Sequence, residues 1–180
     1  LAEEHISLKD NIDKMCVTPY SFGAVGNANY FNSTNSKYYE DAEYTILAND
    51  DTQAIKNCIV SIGTKAAKIL FTSGLFGHSY LISEDIDIPR NIDVEGVNSR
   101  VRIVSASSKN FNIKGGNWEG TDMVWSHFIK YLTFERVGIR YGNEETDFGN
   151  GAVIEACEFQ WTTSPVIYKY NSWLTNINKC

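Results

Sequence analysis

Five pieces of sequence decide how this chain is read: Phe22-Gly-Ala-Val25-Gly26, Asn49-Asp50-Asp51-Thr52-Gln53-Ala54-Ile55, Lys68-Ile-Leu-Phe71, Tyr80-Leu-Ile-Ser-Glu-Asp-Ile86-Asp-Ile-Pro89, and Ile92-Asp-Val94-Glu-Gly96. Val17 to Val25 reads as a short strand that leaves through a tight turn, with Pro19 inside it and Gly23 and Gly26 at its end. Asp50 or Asp51 is a good helix N-cap, because a short acidic side chain accepts from free N–H groups of the first turn. Ala54, Ile55, Cys58, Ile59 and Ile62 then mark one helix face, and Gly63 stops the helix. Lys68 to Thr72 has the length and composition of a buried strand. Short strands are expected at Tyr80–Ile82, Ile86–Ile88 and Ile92–Val94, with Ser73 to Gly77 as a turn. Residues 27–48 are rich in Asn and Tyr and interrupt the pattern as a loop or small excursion, longer than most connections.

Outward from this core, the first residues carry Leu1, His5, Leu8, Ile12 and Met15 at heptad spacing. The expectation is a helix over residues 1–16. Alone in water so short a helix is marginal, so its stripe must be buried. It is buried either on the chain's own domain or in a short parallel coiled coil between identical subunits, with His5 in the seam.

The chain has 180 residues, enough for one domain with a real core, and a net charge of −6 with both signs scattered along it. No basic run is present, which argues against nucleic acid and anionic membranes as partners. No span approaches the ~20 apolar residues of a transmembrane helix. Cys16, Cys58, Cys157 and Cys180 show no ligand spacing, so free thiols kept in a reducing compartment are expected. His5, His78 and His127 show no paired spacing either, and neither a metal nor another cofactor is implied.

A repeat follows. An apolar-x-x-small or apolar-x-apolar pattern recurs at Ile113-Gly116-Trp118, Phe134-Val137-Ile139 and Ile154-Cys157-Phe159, and begins again at Ile177 and Cys180. The steps are 21, 20 and 23 residues. Such a period is the mark of a solenoid whose inward residues stack from rung to rung. It predicts an interior column of Gly116, Val137, Cys157 and Cys180. The pattern also runs out partway through a rung, which carries the expectation of a longer protein or a split assembly.

The entry pieces resemble the start of the pectate-lyase-like superfamily, above all Phe22-Gly23-Ala24-Val25-Gly26, Asp50-Asp51-Thr52-Gln53-Ala54-Ile55 and Val94-Glu95-Gly96. The similarity covers roughly residues 17–96. It departs from the family in the 22-residue insert beginning at Asn27 and in the segment Ser73 to Ser79. The resemblance implies a mainly β fold, a right-handed parallel β-helix with a short N-terminal helix and a small capping helix. On it, residues 1–16 form a helix that could serve as a trimeric neck, 17–96 the N-terminal cap and first rungs with insert 27–48, and 97–180 further rungs. It implies a bacteriophage tailspike that assembles in the host cytoplasm, sits in the virion tail beside other tail proteins, forms a homotrimer and recognises and depolymerises host capsule or O-antigen. The matching residues are structural and transfer no catalytic role. A non-catalytic receptor-binding or particle-attachment module and a monomeric bacterial polysaccharide lyase or glycoside hydrolase are the alternatives.

Hydrolysis would need two carboxylates about 5 Å apart for retention or about 6.5–9.5 Å for inversion. A lyase would need a base and a cation beside a uronate. Candidate carboxylates are Glu119 and Asp122, and Glu144, Glu145 and Asp147 in a loop between rungs. Trp118, Trp125 and Tyr141 lie near them as candidate sugar-stacking residues. Solvated loop acids are the ordinary alternative.

Overall fold

The computed structural model describes residues 16–73, 78–89, 91–98, 100–114, 127–141, 152–161, 167–169 and 176–180. The expected N-terminal helix lies outside them, apart from Cys16, which opens the first strand. The fold is mainly β with parallel sheets and little helix. One sheet runs in the order β1 (Cys16–Val17), β4 (Ala67–Phe71), β7 (Ile92–Gly96), β9 (His127–Lys130), β11 (Ala152–Glu155), β14 (Asn176–Asn178). The other is built on β5 (Ser79–Leu81), β8 (Arg102–Ile113), β10 (Thr133–Tyr141) and β12 (Glu158–Gln160). In it β6 (Ile86–Ile88) also pairs with β8, and β13 (Ile167–Lys169) with β10. All pairings within these two sheets are parallel, and the chain passes from one sheet to the other and back as it advances.

Register does the packing. In the first sheet Val17, Ile69, Val94, Ile129, Ile154 and Ile177 lie side by side across successive strands. In the second, Tyr80, Ile103, Phe134 and Phe159 form one row, and Ile86, Phe111, Ile139 and Ile167 another. Successive side chains of a strand point to opposite faces, so these rows share the interior between the sheets. Phe71, Tyr80, Phe111, Phe134 and Phe159 make a continuous aromatic line there. Phe111 and Phe134 meet edge to face at 5.7 Å, and Phe134 stacks on Phe159 at 5.2 Å.

The repeat read from the sequence holds in its last step, Ile154–Cys157 to Ile177–Cys180, and has the wrong register before it. Ile154 does pair with Ile177, but Phe134 pairs with Ile103 and Ile113 with Tyr141. The assumed period therefore threaded strands of both sheets onto one row. Val137 pairs with Lys109 and is not in line with Cys157; Gly116 lies outside the described residues. The physical cause is uneven connection length between strands, which keeps stacking intact while breaking any constant period.

Corners are turned by single residues in the left-handed region: Tyr131 and Arg136 (both φ 56°), Ala156 and Trp161 (both φ 51°) and Lys179 (φ 53°). Arg136 breaks β10 into two straight segments, and the register against β8 shifts there. Gly96 precedes an equivalent bend. A Cβ on it would lie 2.1 Å from the Tyr131 carbonyl oxygen, so only glycine permits the approach.

The entry segment is knitted by one carboxylate. β1 ends at Val17, because Pro19 starts a 3-10 turn over Pro19–Phe22 that Gly23 (φ 92°) closes. The helix α1 (Thr52–Ile62) buries the expected face, Ala54, Ile55, Cys58, Ile59 and Ile62, against the interior. Asp51 precedes it but makes no side-chain cap; Asp50 Oδ1 accepts from the Thr52 N–H at 3.0 Å instead. Asp51 is buried, and its carboxylate accepts from the N–H groups of Val25 at 2.6 Å and Gly26 at 3.2 Å. Burial pushes this carboxyl up to about 6, while those N–H groups pull it down.

The insert 27–48 is a β-hairpin. β2 (Tyr30–Asn32) and β3 (Lys37–Tyr39) pair antiparallel. Tyr38 and Ala28 are buried against Val104 on the outer side of the second sheet.

Two consequences are testable. Phe134→Ala removes the centre of the aromatic line and costs about 3–5 kcal/mol of stability by urea denaturation. The native state holds the Asp51 proton more tightly than the unfolded chain. Its stabilising contribution is therefore full below pH 3.8 and is lost as pH rises through about 6. Asp51→Asn removes this slope of at most about 1.4 kcal/mol per pH unit, so urea midpoints of the variant gain on the parent between pH 4 and 6; parallel curves would disprove it.

Candidate functional site

The two sheets present their outer faces differently. The outward row Leu81–Val104–Glu135 of the second sheet lies under the insert hairpin. The outer face of the first sheet carries a pocket of about 250 Å³ lined by Lys68, Asp93, Glu95, Phe128 and Lys130.

Strand alternation places these five side chains. Ile69, Val94 and Ile129 point inward, so their neighbours Lys68, Asp93 and Glu95, Phe128 and Lys130 point outward. Register then aligns Lys68 beside Asp93, and Glu95 beside Lys130. Lys68 Nζ donates to Glu95 Oε2 at 2.5 Å, and this bond raises the lysine's pKa. Lys130 Nζ sits 3.2 Å from Glu155 Oε2 and 4.6 Å from the centroid of the Phe128 ring. Asp93 Oδ1 accepts from the Phe128 N–H at 2.9 Å. The hollow thus combines a half-buried aromatic ring, two ammonium groups and the carboxylates of Asp93 and Glu95. That is chemistry for binding a hydroxyl-rich ligand with a partly apolar face.

A second cluster clasps the insert. Glu135 Oε1 accepts from the Tyr38 hydroxyl at 2.6 Å and from Arg136 Nη1 at 2.9 Å. Its Oε2 takes Arg102. Arg136 stacks on the Phe31 ring at 3.8 Å and donates to the Tyr38 hydroxyl at 3.0 Å. Burial, followed by the bond to Glu135, pushes the Tyr38 hydroxyl well above its usual range. Both Glu135 oxygens are engaged with insert and arginines, so this buried carboxylate holds structure together.

Of the residues singled out in the sequence, Glu119, Asp122, Glu144, Glu145, Asp147, Trp118 and Trp125 lie outside the described residues. Tyr141 is the exception and needs correction as a sugar-stacking residue. It ends β10 beside Ile113 with its side chain fully buried, because odd-numbered positions of this segment face inward, and no ring outside can reach it. The pocket residues went unread because nothing marks Lys68, Asp93, Glu95, Phe128 and Lys130 until three strands far apart in sequence are in register. The available signal was the polar alternation in Ile92-Asp-Val94-Glu. Among the described residues no three His, Cys, Asp or Glu side chains converge as a metal site requires.

Tyr38→Phe leaves one bond of the buried Glu135 unmade and costs about 1–3 kcal/mol. The same change exposes the insert, so limited proteolysis cuts within residues 27–48 faster than in the parent chain. Equal cleavage rates would show that the clasp does not hold the hairpin.

Comparison with models of protein families, with curated proteins and with solved structures finds no match to this chain.

Proposed function

We propose that the chain belongs to a trimeric, phage tailspike-like protein of the virion tail, built on a right-handed parallel β-helix, that recognises a bacterial surface polysaccharide and takes part in its depolymerisation. The observation that carries this reading is the double ladder. Inward rows such as Ile69–Val94–Ile129–Ile154 in one sheet and Tyr80–Ile103–Phe134–Phe159 in the other grow by one parallel strand each time the chain returns. Crossovers between parallel strands are right-handed in about 98% of cases, which supplies the hand. The entry segment supports the reading as well, since Asp51 ties the first turn and α1 together as the cap of a solenoid requires.

The pocket on the first sheet supports polysaccharide as the ligand. At about 250 Å³ it is below the roughly 300–1,000 Å³ of sites that enclose a drug-sized molecule. It suits one unit of a chain lying along the face, its apolar side on Phe128 and its hydroxyls toward Asp93, Glu95 and the lysines.

One observation favours a binding module over an enzyme. Two of the outward carboxylates are already matched with cations, Glu95 with Lys68 and Glu155 with Lys130. On that reading this segment attaches to the polysaccharide and the bond-breaking groups lie elsewhere in the assembly.

Titration with capsule and O-antigen polysaccharides tests the proposal. Phe128→Ala lowers affinity about tenfold, equivalent to about 1.4 kcal/mol, with far-UV circular dichroism unchanged. Binding without oligosaccharide release selects the attachment module. Light scattering at monomer mass argues against the trimer, and together with oligosaccharide release it selects a monomeric enzyme. No binding to any bacterial polysaccharide refutes both.

A further inference from the structure

We propose that Cys157 and Cys180 form a reversible disulfide across adjacent strands, a redox modification site independent of any ligand the outer faces bind.

The geometry is a repeat of one arrangement. β11 and β14 pair in register through Val153–Asn176, Ile154–Ile177 and Glu155–Asn178. The ladder continues past the strands, with the Ala156 N–H donating to the Asn178 carbonyl at 3.0 Å. Ala156 and Lys179 then turn the same left-handed corner, at φ 51° and 53°. The next residue in each case is cysteine.

The two thiols are also held alike. Cys157 Sγ lies 3.5 Å from the carbonyl of Ile129 and 3.5 Å from that of Glu155, two residues back. Cys180 Sγ lies 3.7 Å from the carbonyl of Ile154 and 3.3 Å from that of Asn178, again two residues back. Ile129 and Ile154 are themselves register partners. Cys180 is therefore Cys157 moved over by one strand. Adjacent strands lie about 4.8 Å apart, inside the roughly 4.4–6.8 Å of Cα separation that a disulfide spans. Side chains related by translation keep that spacing at Cβ, just beyond the usual Cβ range of roughly 3.5–4.5 Å, so the bond is labile and reversible.

Burial orders the chemistry. Cys157 is buried, and burial pushes its thiol up to about 12. A low-molecular-weight disulfide such as glutathione disulfide is the oxidant. The Cys180 thiolate attacks it, one glutathione thiolate leaves, and Cys180 carries the mixed disulfide. Cys157 then loses its proton to solvent and its sulfur attacks Cys180 Sγ, expelling the second glutathione thiolate. The two cysteine thiols are oxidised and glutathione disulfide is reduced to two glutathiones. The second step is the slower one, because few Cys157 thiolates exist at neutral pH.

The test uses the folded, reduced chain. It is incubated with glutathione disulfide, unfolded in N-ethylmaleimide and digested without reduction. The expected result is a peptide linking Cys157 to Cys180, loss of maleimide labelling at both, and reversal by dithiothreitol. In Cys157→Ser the reaction stops at a glutathione adduct on Cys180. The proposal is overturned if Cys157 stays fully labelled while Cys180 carries glutathione, or if Cys180 links only to a second chain.

Discussion

In a parallel ladder every inward side chain lies beside its equivalent one strand away, at a fixed spacing of about 4.8 Å. Neighbours along a row must therefore be compatible in shape, and the rows here are almost wholly branched aliphatic or aromatic. Ile69, Val94, Ile129 and Ile154 tile one side of the interior; Phe71, Phe111, Phe134 and Phe159 fill the space between. The corners must also recur at matching places, or the next strand would leave register. Single left-handed residues do this, at Tyr131 and Ala156 on one corner and at Arg136 and Trp161 on another. Each carries the roughly 1–2 kcal/mol penalty of a non-glycine residue in that region, which the stacked rows offset. At Gly96 the neighbouring chain comes so close that no side chain fits at all.

The same stacking makes the beginning of the chain matter. The edge of a growing parallel sheet needs a cover, and the entry segment is held in place by polar groups taken out of water. Asp51 is accepted into the interior only because Val25 and Gly26 give it their N–H groups. Asp50 turns the other way, toward Thr52 and Ser83. One of two adjacent carboxylates thus ties α1 to the first turn and the other starts the helix.

The insert sets the division of labour between the faces. Its hairpin lies on Val104 and hands the Tyr38 hydroxyl to Glu135, a residue 97 positions away. Glu135 and the two arginines can sit there because each charge is matched and hydrogen-bonded, as burial demands. With that side occupied, the polar hollow lined by Lys68, Asp93, Glu95, Phe128 and Lys130 lies on the outer face of the first sheet.

Local signals carried much of this architecture. The face Ala54, Ile55, Cys58, Ile59 and Ile62, the stop at Gly63 and the strands at Ala67–Phe71, Ser79–Leu81, Ile86–Ile88 and Ile92–Gly96 were legible, because each rests on the periodicity of a single segment. So was a β-rich chain that returns on itself. The register was not: Phe134 beside Ile103 rather than Ile113 depends on how much chain the connections consume, and alternation within a strand says nothing about its partner. The inward turn of Tyr141, the clasp between Tyr38 and Glu135, and the pocket at Lys68, Glu95 and Lys130 all follow from register. They join residues far apart in sequence. Periodicity determined which elements form and which side of each is apolar; only the stacking of strands in space decided what those sides meet.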